Sequence, residues 1–427
     1  MTKAITANQW LSTLMWAIAL LCYACNTKAP DQKAEEYVTA ETLLGNPNYP
    51  AISYGGYRTT SREVQPTIAQ LKNDVRILYA LGYRLLRTYN LQFPHTPNLI
   101  QAISELKKED PKFEMYVMLG TWIDCKNAWT DSPDHREENL ENNQSEINNA
   151  VGLANAYPDI VKIIAVGNEA MVHWATAYFV EPTVILKWVT YLQDLKQEGK
   201  LPKEVWITSS DNFASWGGGD STYHKEGLTQ LIQAVDYLSI HTYPFHDTHY
   251  NPTFWEEQKS FDSLSVPERI DIGMEKAFAY AIDQYKAVEK HMTSLGIDKP
   301  IHIGETGWST ASNGLYGANG SQAADEYKQA LYYKKMNQWS VKNKVTTVFF
   351  SAFDESWKDP NGPEASENNF GLFTVDGKAK YALWDSVDQG VFKGLSREVN
   401  GPEIQKSFEG NTDALMSTLL PPKTRQE

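Results

Sequence analysis

The sequence predicts a single-domain (β/α)8 TIM barrel, and three observations carry that reading. Eight short runs rich in Val, Ile and Leu recur along the 427 residues, separated by amphipathic helical stretches. Such runs, apolar on both faces, suit strands of a parallel sheet. Two of them end in a glycine and then a carboxylate, at Glu169 and Glu305. The first run is followed by Tyr54-Gly-Gly-Tyr57, which is not the Gly-rich phosphate turn a doubly wound open sheet would carry.

The predicted strands are Ala51–Tyr57, Tyr83–Tyr89, Phe113–Gly120, Ile160–Gly167, Val205–Ser210, Val235–Thr242, Pro300–Glu305 and Thr346–Ala352. Ile68, Leu71, Val75 and Leu78 mark the buried face of one helix. Val184, Leu186, Val189, Leu192 and Leu195 mark another. Ala277–Leu295 and Ala324–Trp339 show the same periodicity. Pro66 and Pro182 stand near helix starts, where a missing N–H costs little, and Gly82 and Gly296 close helices.

The barrel is expected to occupy residues 45–390. Residues 1–25 read as a signal peptide, 26–44 as a linker and 391–427 as a C-terminal tail that either packs on the barrel or hangs free. Lys3 precedes an apolar stretch from Trp10 to Leu21 that is too short to span a bilayer and suits an export signal. It ends in Leu21-Cys-Tyr-Ala-Cys25, and a small residue directly before a cysteine resembles a lipoprotein processing site. Cys25 is therefore the expected lipid attachment point. The protein is expected at the outer membrane or cell surface, otherwise periplasmic or secreted, touching membrane through its anchor only. Cys125 is then the one cysteine of the mature body, a buried and inert thiol with no disulfide partner.

A net charge of −14 without a dense basic patch argues against nucleic-acid binding. Thirteen Trp and 23 Tyr supply flat rings suited to sugar faces, and equally to packing.

In a barrel the working residues gather at the C-terminal strand ends. Read in order, these are Tyr54 and Arg58; Arg87, Tyr89 and Asn90; Thr121, Trp122 and Asp124; and Asn168 and Glu169. Then come Ser210, Asp211 and Asn212; His241 and Tyr243; Glu305 and Trp308; and Asp354, Glu355, Trp357 and Lys358. Two glutamates on different strands meet the requirement of glycoside hydrolysis, one protonating the leaving oxygen and one attacking the sugar. His241, His246, Asp247 and His249 could ligate a metal, but they fall on a strand end and a loop rather than one helix face. No metal or other cofactor is expected.

Val166-Gly-Asn-Glu169, Gly304-Glu-Thr-Gly-Trp308 and Glu367-Asn-Asn-Phe-Gly-Leu-Phe373 together resemble glycoside hydrolase family 17, the β-1,3-glucanases, over roughly Gly45 to Leu383. The resemblance implies Glu169 as acid/base, Glu305 as nucleophile and Asn168 beside the cleaved bond. It places Tyr243, Trp308, Glu355, Lys358 and Glu367 along the cleft. Tyr54, Arg87, Tyr89, Trp122, Asp211, Asn212 and Trp357 complete the expected substrate-binding set. Three features depart from the family: Asp354-Glu-Ser-Trp-Lys358, His241-Thr-Tyr-Pro244, and a long loop from Trp122 to Glu141 with its own Trp129.

The expectation is a monomeric, retaining, endo-acting hydrolase of laminarin-type β-1,3-glucan. Its rivals are a β-1,3-glucanosyltransferase using the same two glutamates and a non-catalytic carbohydrate-binding lipoprotein. Two catalytic carboxylates argue against the last, since a binder has no use for the acid.

Overall fold

The computed structural model describes residues 38–425. The leader, Cys25 and most of the expected linker lie outside the described residues. Eight parallel strands close into a barrel: β1 (Ala51–Ser53), β2 (Leu85–Arg87), β3 (Tyr116–Thr121), β6 (Val161–Asn168), β7 (Trp206–Asn212), β8 (Leu238–His241), β9 (Ile301–Gly307) and β10 (Thr347–Phe350). Closure is direct. Ala51 of β1 pairs with Leu85 on one side and Val348 of β10 on the other. β4 (Cys125–Lys126) and β5 (Asp134–Glu138) form a separate antiparallel hairpin within the long loop after β3.

The apolar runs became strands because both their faces are covered: all residues of β3, β8, β9 and β10 are buried. Helices Ile68–Ala80 and Pro182–Gln197 turn inward the faces predicted from their spacing, burying Leu71, Val75 and Leu78, and Val184, Val189, Leu192 and Leu195. Thr67 caps the first through a reciprocal capping box with Gln70, and Pro182 opens the second. The predicted strands ran long at several ends. β1 stops at Ser53 rather than Tyr57; Tyr54 makes one last backbone bond to Arg87 O at 2.9 Å, and its hydroxyl donates to Asp74 at 2.9 Å.

Chain on both sides of the expected barrel belongs to the same body. Residues Ala40–Leu43, assigned to the linker, form a helical turn with Ala40 and Leu43 fully buried. Gly45 then donates to Thr346 Oγ1 at 2.7 Å. The tail packs rather than hangs: Ile404, Leu415 and Leu419 are buried, and Thr424 bridges to Glu257. Its anchor is Arg397, whose guanidinium is buried against Asp74, the carbonyls of Tyr57 and Val375, and the ring of Phe353. Asp74 also receives Arg58 at 2.8 Å. One buried carboxylate thus ties together the end of β1, the first long helix and the tail.

Breaking a buried ion pair leaves an uncompensated charge and typically costs about 3–5 kcal/mol. Because Arg58 remains beside Asp74, Arg397→Ala is expected to destabilise by about 3 kcal/mol, read as a fall in the urea midpoint. A loss below about 1 kcal/mol would show that the tail is not held this way.

Candidate active site

The end of β6 makes the first half of the site. Val161 to Gly167 are buried, and the chain then bends sharply: Gly167 has φ +84°, and a Cβ there would lie 2.9 Å from that of Ala170. Glu169 itself has φ +46°, the left-handed region that costs a non-glycine residue about 1–3 kcal/mol. Its N–H donates to Ser210 O of β7 at 3.0 Å, which fixes the bend. The strain aims the side chain at the barrel axis side of β8, where Oε1 lies 3.0 Å from His241 Nδ1. The other nitrogen, Nε2, lies 2.8 Å from Ser210 Oγ, so the imidazole is held at both ends and is fully buried.

β9 supplies the second half. Glu305 is 7% exposed, and each of its oxygens is engaged. Oε1 accepts from the Tyr243 hydroxyl at 2.5 Å, and Oε2 pairs with Arg87. Burial pushes this carboxyl up, but the nearby His241, Arg87, Tyr243 and Lys358 together hold it well below the usual carboxylate range. Glu305 is thus kept ionised, as a nucleophile requires. Arg87 spans the site. Besides Glu305 it donates to Gly304 O at 3.1 Å and Asn168 Oδ1 at 2.5 Å, and approaches His241 Nε2 at 3.4 Å.

Around the glutamates lies a cleft of about 850 Å3. Of the sequence-predicted residues, Tyr54, Tyr89, Trp122, Asn168, Asn212, Tyr243, Glu355, Trp357, Lys358 and Glu367 line it with Glu169 and Glu305. Lys358 stands between Glu355 at 3.6 Å and Glu367 at 3.8 Å and covers the Phe350 ring. Burial raises the Glu355 carboxyl; Lys358 opposes the rise and Glu305 adds to it. Gly55 admits this side chain, since a Cβ there would meet Glu355 Oε1 at 2.1 Å.

Three expectations need correction. Trp308 is fully buried, donates its indole N–H to Ala323 O and packs against Phe245, Trp255 and Tyr332, so it has no face to offer a sugar. Asp211 is also fully buried: its carboxylate accepts the backbone N–H groups of Met171 and Asn212, and burial pushes it up to about 7. Arg87 is sealed beneath the cleft and reaches substrate only through Glu305 and Asn168. The histidines do not converge on a metal. His241 serves Glu169 and His246 lies 3.1 Å from Glu367. Residues 244–250 form a short helix where a loop was expected, and no metal-ligating group of three or more side chains occurs among the described residues.

Sequence reasoning missed several lining aromatics, including Tyr57, Trp174, Tyr250, Tyr316 and Phe370. Tyr57, Trp174, Tyr316 and Phe370 sit in irregular segments with no periodicity to read, and Tyr250 ends the short helix 244–250. His241 stood among the strand-end residues and in a metal-ligand cluster, but its contact with Glu169 was not readable from β8 alone.

The match to known proteins decides the family. Residues 51–371 match the BtgE/BtgC glycoside hydrolase domain. The chain belongs to this family, within glycoside hydrolase family 17. The crystal structure of an endo-laminarinase from Formosa Hel1_33_131 is 59% identical with a TM-score of 0.89, covering 91% of this chain and 99% of that one. A glucan 1,3-beta-glucosidase of Arthroderma benhamiae is 25% identical over 273 residues, 62% of this chain and 70% of that protein. A family 17 β-1,3-glucanosyltransferase from Rhizomucor miehei, 19% identical with a TM-score of 0.53 over 78% of this chain and 96% of its own, shares the fold. The family 17 assignment read from three motifs therefore holds.

The charge around Glu305 sets a pH expectation. If Glu305 is the attacking group, its protonation abolishes attack, and its lowered carboxyl should keep activity into acid. Arg87→Met removes one lowering charge while burial remains, and the acid limb of kcat/KM should move to higher pH. An unmoved limb in a folded Arg87→Met variant would show that the guanidinium does not govern Glu305.

Proposed function

We propose that this chain is an endo-acting hydrolase of β-1,3-glucan that works by double displacement with Glu305 as nucleophile and Glu169 as acid/base. The observation that carries the reading is the ionised Glu305, caged by Arg87 and Tyr243, sharing one aromatic-lined cleft with a strained Glu169. The 59% identity to an endo-laminarinase supports the choice of substrate.

In the first step Glu305 attacks the anomeric carbon as Glu169 gives its proton to the glycosidic oxygen, and the reducing-end portion departs. A glucosyl ester on Glu305 remains. Water then attacks the same carbon while Glu169 takes back a proton, releasing Glu305 and a sugar of unchanged β configuration. The Asn168 Oδ1 is engaged by Arg87, which leaves its amide N–H groups for the sugar 2-hydroxyl. Chemistry of this kind is complete with two carboxylates and needs no Lewis acid.

Export and lipid attachment at Cys25 belong to the same proposal. They rest on the charged start, the short apolar stretch and the Ala24-Cys25 pair. Among the described residues no helix is long and apolar enough to cross a membrane.

Glu169→Gln and Glu305→Gln should each lower turnover on laminarin by about 10²–10⁴-fold with the far-UV spectrum unchanged. Near-native turnover in either variant would remove that residue from its assigned role. Anomeric proton signals followed through the first minutes of hydrolysis should show β product forming first. Early α product would point to inversion and rule out double displacement.

A further inference from the structure

The loop after β3 carries aromatic surface that the reaction does not use. Trp122 lines the cleft, and its ring lies 5.0 Å from Tyr178, which in turn lies 4.9 Å from Trp129. Trp129 is nearly parallel to Tyr178, at 26°, and is 63% exposed. Trp174, which follows Glu169 in the loop after β6, lines the cleft and is 60% exposed. Trp122 and Trp129 also lie 6.4 Å apart, so these two rings and Tyr178 form one cluster that joins the cleft wall to the β4–β5 hairpin.

This exposure is built, not slack. Trp129 adopts φ +65° and donates its N–H to Ala177 O at 2.8 Å, while Cys125 donates to Tyr178 O at 3.1 Å. At the far end His135 stacks on Phe179 at 3.6 Å, and Glu138 accepts the Trp188 indole N–H at 2.6 Å. The hairpin is bolted to the loop that follows Glu169. A left-handed tryptophan costs about 1–3 kcal/mol, and an indole left in water forgoes its burial. Outliers of this kind are retained where they serve a ligand.

We infer that Trp129 and Tyr178, continuing from Trp122 and Trp174, form an outlying subsite for the departing portion of the β-glucan chain. The inference rests on the proposed function and extends it. The proton from Glu169 goes to the leaving oxygen, so the departing portion starts at Glu169 and runs beside the loop that Glu169 opens. That loop carries Trp174 and Tyr178. Sugar rings present apolar C–H faces, and the exposed indoles of Trp129 and Trp174 suit them, with Tyr178 backing Trp129. The contribution is to binding of long substrate, remote from the chemistry.

The test uses the full chain and its Trp129→Ala and Trp129→Phe variants, with linear β-1,3-glucan oligomers of increasing length. Expected for Trp129→Ala is a drop of about tenfold in the ratio of kcat/KM on the longest to that on the shortest cleaved oligomer, carried by KM. Trp129→Phe, which keeps an aromatic ring, should restore most of the ratio. An unchanged ratio, or an equal fall at every length, would overturn the subsite while leaving the proposed function standing. If the unaltered protein cleaves no β-1,3-glucan oligomer of any length, the proposed function fails and this inference with it.

Discussion

The guanidinium of Arg87 is the contact on which the catalytic arrangement depends. It leaves β2 and touches Glu305 and the Gly304 carbonyl of β9, Asn168 of β6 and His241 of β8. Four strands of a closed barrel therefore meet on one planar cation. Its fork geometry suits this, since several donors project in fixed directions from a group that stays charged at any working pH. A lysine would supply charge at one point and would not bridge Glu305 and Asn168 with two separate nitrogens. The burial of Arg87 is tolerable because Glu305 neutralises it and the neutral acceptors Gly304 O and Asn168 Oδ1 take further N–H groups, although its Nε–H has no partner among the described residues.

Glu305 and Glu169 are set by different means. Glu305 sits within β9, where the strand's register shifts against both its neighbours, and its state is set electrostatically by the groups around it. Glu169 sits just past a strand in a left-handed conformation, and its position is set by backbone strain and one imidazole. The barrel absorbs that strain because β6 is buried along nearly its whole length and its bend is locked to β7 through Ser210. A loop free on both sides could not hold such a residue.

Much of this was legible in the sequence. Strand cores were visible because parallel strands buried on both faces leave uninterrupted apolar runs, and the two glutamates stood out as carboxylates closing such runs. Element ends were less legible, as β1 shows: it stops at Ser53, four residues short of the expected Tyr57, and the side chain of Tyr54 is held by the distant Asp74. Trp308 misled because a motif fixes a residue's place along the chain and not which way its side chain points. In this fold the ring turns into the core toward Tyr332. Trp174 and Tyr316 were invisible for the opposite reason, since irregular loops have no period and their contribution appears only when eight of them converge. Arg87 stood out at its strand end, but its target across the barrel was not readable from β2 alone.

The tail gives the order of synthesis a consequence. Asp74 is made early, whereas Arg397 arrives 323 residues later, and the rim of β1 is tied through both. β1 also waits for β10 before it has its second neighbour. A chain that emerges N-terminus first can therefore assemble both glutamates on their strands while the barrel is still open at β1 and Asp74 lacks its last cation. Arg397 follows all eight barrel strands, so a chain that stops before it carries both glutamates on their strands and lacks the cation that braces Asp74 beneath Tyr54 at the edge of the cleft.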